Sequence, residues 1–138
     1  MIWVIDMGYK CPICERDPTS HSLKIVHENK ACVYLYTKPS DAKLYNDIDG
    51  ILDHYMGVLS DIPSGKEWEW VFDGDGFTLT HAMEFTLAIK MAKMITDNFS
   101  HNLRSIRVIN PTMFISITVN TVWPFLNKHM RDLIRIER

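Results

Sequence analysis

Apolar positions along this chain follow two different periods. Residues 68–72, Trp-Glu-Trp-Val-Phe, run into an Asp73-Gly74-Asp75-Gly76 turn and predict a strand. From about residue 81 to residue 99 apolar side chains recur at three and four, which predicts a long helix. Residues 105–109 predict a second strand. A strand, a crossover helix and a second strand in that order make a right-handed parallel unit. Upstream, residues 1–9 read as a short strand, and residues 23–26 and 31–37 as a hairpin turned at His27-Glu28-Asn29-Lys30. Leu44, Ile48, Ile51, Leu52, Tyr55 and Leu59 then share one helical face, with Ser40 as the expected N-cap and residues 62–65 as the stop. Downstream, Asn110 is the expected cap of a helix over residues 112–122, because the missing N–H of Pro111 costs nothing in a first turn. Pro124 breaks that helix. Residues 128–132 predict a short helical turn and residues 133–136 a last strand. The pattern as a whole predicts the α/β class, with a mixed, largely parallel sheet and crossover helices. It is read as one domain over residues 1–138, with strands and a Cys-x2-Cys turn over 1–38 and the α/β core over 39–138.

The long helix is apolar on more than one side. Ala82, Phe85, Ala88, Ile89, Ala92, Ile95 and Phe99 form one stripe, and Met83, Leu87, Met91 and Met94 form another. A helix packed on a sheet needs only one stripe. The surplus must be covered by a neighbouring helix, a partner or a ligand, and methionine suits contents of irregular shape.

Composition narrows the class. With 46% hydrophobic and 23% charged residues the chain belongs among globular proteins, not disordered ones. No apolar run approaches the roughly 20 residues that span a bilayer. Asp6 interrupts the amino end too early for a signal peptide. Three cysteines are an odd number, which favours a reduced, cytoplasmic setting over a disulfide framework. The net charge of −2 is unevenly spread: residues 1–80 carry −6 and residues 81–138 carry +4. The basic half allows a peripheral contact with an anionic membrane or an acidic partner, against the plainer reading of a solvated surface. Its aromatic residues are not interleaved with basic ones, so nucleic acid is not an expected partner.

Two stretches carry candidate chemistry. Cys11-x2-Cys14 has His21, His27 and Cys32 close behind it, and Cys11, Cys14, His27 and Cys32 are the expected ligand set if a zinc ion is held. The alternative is a pair of half-buried thiols. A redox role would need a helix start to depress a thiol pKa, and Pro12 and Asp17-Pro18 argue against one. Phe72-Asp73-Gly74-Asp75-Gly76 resembles the aspartate loop of haloacid-dehalogenase-type phosphatases, with Asp73 as nucleophile and Asp75 as acid. Phe77 stands where a small residue belongs, and no later acidic pair is placed to hold Mg²⁺. The alternative is a turn in which glycine and aspartate supply the backbone shape. The chain is therefore read as non-enzymatic.

Several runs together resemble one family. They are Phe72-Asp73 with Gly76-Phe77, the long helix, Ile109-Asn110-Pro111-Thr112-Met113-Phe114, Pro124-Phe125-Leu126 and Arg131-Asp132. They resemble the CRAL-TRIO lipid-binding domain, and are most similar to its divergent branch found beside small-GTPase regulators. The resemblance covers roughly residues 31–137. It implies an α/β sandwich whose sheet floors an apolar pocket for one lipid, a phosphoinositide, a sterol or another hydrophobic molecule. The helical lobe that usually precedes the domain is not in this sequence, and the sequence stops near where the family continues into its gating helix. A truncated form is thus expected, and no head-group residue is carried over. Phe72, Phe77, Met83, Leu87, Met91, Phe114, Ile117 and Trp123 are the candidate lining residues. The competing expectation is a protein-interaction module of the same fold, docking on a partner or forming a homodimer through its apolar face.

Overall fold

The computed structural model describes residues 9–137. The strand expected over residues 1–9 lies almost wholly outside them. Five strands form one mixed sheet in chain order: β1 (Lys24–Glu28), β2 (Cys32–Thr37), β3 (Glu67–Asp73), β4 (Leu103–Ile109) and β5 (Ile134–Ile136). The β1–β2 hairpin is antiparallel, and β2–β3, β3–β4 and β4–β5 are parallel. Parallel neighbours taken in sequence order with right-handed crossovers place their connecting helices on one face. The connecting helices do pack side by side. Helix α2 (Ile48–Ser60) touches α4 (Phe85–Asn98), and α4 touches α5 (Ile115–Val122).

Alternation along the strands decides which side is oily. Val33, Leu35, Trp68, Trp70, Ile106 and Val108 stand in register on the helix side. Trp68 is buried to 1% exposure, and its indole N–H donates to the Phe99 carbonyl at 3.0 Å. Burying about 150–250 Å² of such a ring contributes, at about 25 cal/mol/Å², up to roughly 4–6 kcal/mol. The opposite face is polar. A register shift beside Arg104 lets both Arg104 and Ser105 reach Glu69, at 3.8 and 2.8 Å, and Arg107 grips Glu137 with two bonds of 2.7 and 2.9 Å. Lys128 pairs with Asp132 at 3.0 Å, and Lys93 lies over the Phe125 ring at 4.9 Å. Much of the basic excess of residues 81–138 thus meets partners within the chain.

Four expected elements differ. The helix expected from Ser40 is a 3-10 turn, Pro39–Asp41, and then α2, whose N-cap is Asp47, accepting from the Gly50 amide at 3.2 Å. The long helix is broken into α3 (Leu79–Ala82) and α4 at Met83-Glu84, where the Phe85 amide turns back to the Met83 carbonyl. Helix α5 begins at Ile115, three residues late. Asn110 has φ 48° and so cannot act as an extended N-cap. A five-residue helix, α1 (Pro12–Arg16), stands where the Cys-x2-Cys turn was expected. A short helix α6 (Lys128–Leu133) completes the chain before β5. No helix among the described residues is long and apolar enough to cross a membrane.

Candidate functional site

A cavity of about 160 Å³ lies between the oily face of the sheet and the helices above it. Its floor is Trp70 and Phe72 from β3 with Ile106 and Val108 from β4. Leu87 and Met91 of α4 form one wall, and Val119 of α5 another. Ile51 and Tyr55 of α2 close a third side. The cavity exists because aromatic rings on β3 hold the helices off the sheet while Ala88 and Ala92, both on its border, are too short to fill the gap. An apolar void of about 150 Å³ is large enough to take a benzene ring.

Polar atoms at the rim are nearly all satisfied. The Trp70 indole N–H donates to Thr37 Oγ1 at 3.0 Å, Thr37 Oγ1 lies 2.8 Å from the Tyr55 phenol, and the phenol donates to the Ser22 carbonyl at 3.2 Å. Burial pushes the Tyr55 phenol well above its ordinary range, so it stays a neutral donor. One atom breaks the pattern. The Thr118 hydroxyl of α5, on the cavity border, is buried without a hydrogen-bond partner among the described residues.

The structure brings Phe72, Leu87 and Met91 to this cavity and leaves the other five candidates elsewhere. Phe77 is buried in a separate cluster with Ala82, Val108 and Ile115, stacked on His81 at 5.3 Å. Phe114 and Ile117 pack on that same cluster. Met83 sits in the break between α3 and α4 and is 57% exposed. Trp123 is exposed under the Arg131 guanidinium at 5.4 Å. The break at Met83-Glu84 takes Met83 out of a continuous-helix register, and the late start of α5 leaves Phe114 ahead of the helix. Each apolar stripe of the long helix is covered only in part within the chain: Ala92 and Ile95 from one and Leu87, Met91 and Met94 from the other are buried, whereas Phe85 is 42% and Met83 57% exposed. The expected surplus thus survives in two places, the gap beside Met91 and the exposed Met83 and Phe85 near the start of α4.

The Asp73 loop is a tight turn held by its own hydrogen bonds. Tyr36 donates its phenolic proton to Asp73 Oδ2, and Oδ1 accepts from the Asp75 amide at 3.0 Å and from Asn110 Nδ2 at 3.2 Å. Burial would raise the Asp73 pKa, but these three donors outweigh it and hold the carboxyl below its usual range. Burial, and then the same contact, push the Tyr36 phenol up to about 12. Gly74 permits the close approach of the next loop, since a Cβ there would meet the Asn110 carbonyl oxygen at 3.0 Å and Pro111 Cα at 3.1 Å. Gly76 supplies φ 78°, which favours glycine. Asp75 reaches Lys38 at 3.3 Å. A carboxylate so fully engaged on both oxygens is poorly placed to attack phosphorus.

Cys11 and Cys14 do meet two imidazoles, but not the expected partners. His21 and His54 join them, and their donor atoms all lie within 4.8 Å of one another. His27, on β1, rests against the Tyr34 ring at 5.3 Å, and the buried Cys32 thiol, on β2, faces the Val33 carbonyl at 3.7 Å. The hairpin carries both away, whereas α2 swings His54 in from 40 residues beyond Cys14. No such partner is visible in the local spacing. Pro12 does open a helix, in the N1 position that suits proline. Even so, burial and the adjacent Cys11 thiol push the Cys14 thiol up to about 11, opposite to what a redox-active thiol needs. No disulfide joins the three cysteines.

Comparison with known proteins agrees with this architecture. Residues 30–135 match the divergent CRAL/TRIO domain family. The crystal structure of Sfh5 superposes with a TM-score of 0.66 at 11% identity, over 96% of this chain and 53% of that one. The present chain therefore spans about half the length of that relative, and at this identity the likeness is one of fold.

Proposed function

Because the chain belongs to the divergent CRAL/TRIO family over residues 30–135, whose members generally bind hydrophobic ligands, we propose that it is a non-catalytic binder of a lipid or another small apolar molecule. The observation that carries this reading is the cavity on the oily face of the sheet, bordered by Phe72, Leu87, Met91 and Val119. Ligand sites are concave, mostly apolar and supplied with few polar groups. Among the described residues the Thr118 hydroxyl is buried on the cavity border without a partner, and it offers a single hydrogen bond to a hydroxyl, ester or ketone oxygen of the ligand. The cavity volume suits a ring or a short run of methylenes.

Native mass spectrometry of the chain purified from cells tests the proposal, followed by incubation with fatty acids, sterols and phospholipid vesicles. An adduct that survives gentle desolvation and is displaced by one of these classes is expected. A bare polypeptide mass throughout, counting only organic adducts, would remove the reading.

A further inference from the structure

Cys11, Cys14, His21 and His54 come from three separate parts of the chain: helix α1, the segment before β1, and the middle of α2. Three of the four precede residue 30, where the family match begins, and none of the four borders the cavity. We infer that these four side chains bind one zinc ion in a closed, structural Cys2His2 site that fastens residues 11–21 to helix α2.

Distances carry the argument. Cys11 Sγ and Cys14 Sγ each lie 3.6 Å from His21 Nδ1, and Cys14 Sγ lies 3.5 Å from His54 Nδ1. A tetrahedral zinc with Zn–S of about 2.3 Å and Zn–N of about 2.05 Å separates sulfur from nitrogen by about 3.6 Å. Hydrogen bonding among the four does not account for this arrangement. Two thiol protons serve at most two of the three sulfur–nitrogen contacts, and each Nδ1 has a single lone pair.

The imidazoles are also oriented as ligands. His54 Nε2 is 2.9 Å from the Leu23 carbonyl, which can only accept, so the proton sits on Nε2 and the Nδ1 lone pair faces the cysteines. His21 Nε2 is 3.0 Å from Asp47 Oδ2, which fixes the same tautomer. A carbonyl and a carboxylate behind two histidines form the usual outer shell of a zinc site. The two rings stand edge to face at 88°, so their lone pairs converge from different directions. His21 and Cys11 are buried, and four protein donors leave no position for a substrate. Two thiolates with two imidazoles suit zinc over magnesium or calcium, which prefer oxygen. On binding, the two thiols lose their protons to solvent and the dication meets two thiolates, leaving a neutral centre.

The clamp has a consequence for the cavity. Asp47 caps α2 and holds His21, while His54 is followed by the cavity-lining Tyr55. Zinc would thus brace the helix that forms one wall, whether or not any apolar ligand binds there.

Untagged protein from zinc-supplemented cells should carry about one zinc per chain. Co²⁺ exchanged into the metal-stripped chain should give the intense visible bands of a tetrahedral ion and a thiolate-to-metal charge-transfer band. His21→Cys should keep the metal, Cys14→Ser should lose it, and Cys32→Ala and His27→Ala should behave as the unaltered chain. No zinc after supplementation, or a weak octahedral Co²⁺ spectrum, would overturn the inference. So would metal lost in Cys32→Ala but kept in Cys14→Ser. The Co²⁺ spectrum requires no substitution, so it decides the matter even if Cys14→Ser does not fold.

Discussion

The hydroxyl of Thr37 and the phenol of Tyr55 lie 2.8 Å apart, and this one contact joins strand β2 to helix α2 at the edge of the cavity. Its direction follows from proton counting. Trp70 can only donate to Thr37, and Tyr55 reaches the Ser22 carbonyl, so Thr37 donates to Tyr55. Tyr55→Phe removes both the acceptor for Thr37 and the donor for Ser22, leaving a buried hydroxyl proton without a partner. A loss of about 1–3 kcal/mol is expected. Urea titration checks it: the midpoint should fall with an unchanged slope.

Filling the cavity should separate ligand binding from folding. Ala92 is 8% exposed and borders the gap beside Met91. Ala92→Leu adds three carbons to space that is already open, so stability should change by less than about 1.5 kcal/mol. Binding of any apolar adduct should be abolished. Thermal melts and native mass spectra of the same sample measure both. A strong melting-point fall would mean the gap is closed in solution.

Thr118 makes the opposite kind of test. Its hydroxyl is buried on the cavity border and lacks a partner among the described residues. Thr118→Val keeps the side-chain shape and removes the desolvated oxygen, so the ligand-free chain should gain about 1 kcal/mol. Ligands bearing an oxygen should bind more weakly, and pure hydrocarbons at least as well. Denaturation curves and competition binding would show the split; equal weakening of both ligand types would refute the role given to this hydroxyl.

Much of the architecture was legible in the sequence, because period and topology are local or nearly so. The alternation of residues 68–72 and the run of residues 105–109 predicted the parallel pair that forms the middle of the sheet. The same alternation places Trp68, Trp70 and Phe72 on one face, and it held the signal for Trp70 as a floor residue. Helix breaks were not legible. Met83-Glu84 contains no glycine or proline, and the interruption comes from burying Phe77 and Ala82 against Val108 and Ile115, which is a tertiary cause. That break moved Met83 into solvent and α5 started late, so five of the eight proposed lining residues lie away from the cavity. The Cys-x2-Cys turn announced two donors of the proposed zinc site. His21 stood in the same local run, seven residues beyond Cys14, whereas His54 was set by the fold, since it reaches Cys14 across 40 residues.

Asn110 links two loops at some conformational cost. It holds φ 48° and donates from Nδ2 to Asp73 Oδ1 at 3.2 Å. A left-handed backbone costs an ordinary L-residue roughly 1–2 kcal/mol, and glycine much less. Asn110→Ala should therefore destabilise the chain more than Asn110→Gly, by about 1 kcal/mol, although both lose the same side-chain bond. Equal melting points for the two variants would show that the backbone relaxes on substitution.

His81 should make stability depend on pH below neutrality. Its ring is stacked on Phe77 and stands edge-on to Tyr45 at 4.8 Å, and its Nδ1 accepts from the Thr78 amide at 3.0 Å. Burial lowers its pKa from the ordinary 6.5. The unfolded chain then binds a proton more readily than the folded one, so protonation favours unfolding. This contribution to stability is fully present above about pH 6.5 and is lost as pH falls toward the lower folded value. His81→Gln keeps an acceptor for the Thr78 amide, in the position where glutamine closes a capping box, and does not titrate. Stability measured by urea between pH 7 and pH 5 should fall less steeply in His81→Gln than in the unaltered chain. His54, whose pKa is also lowered by burial, is common to both proteins and cancels in the difference. Parallel curves for the two would mean that the imidazole is solvated in the folded chain and carries no such penalty.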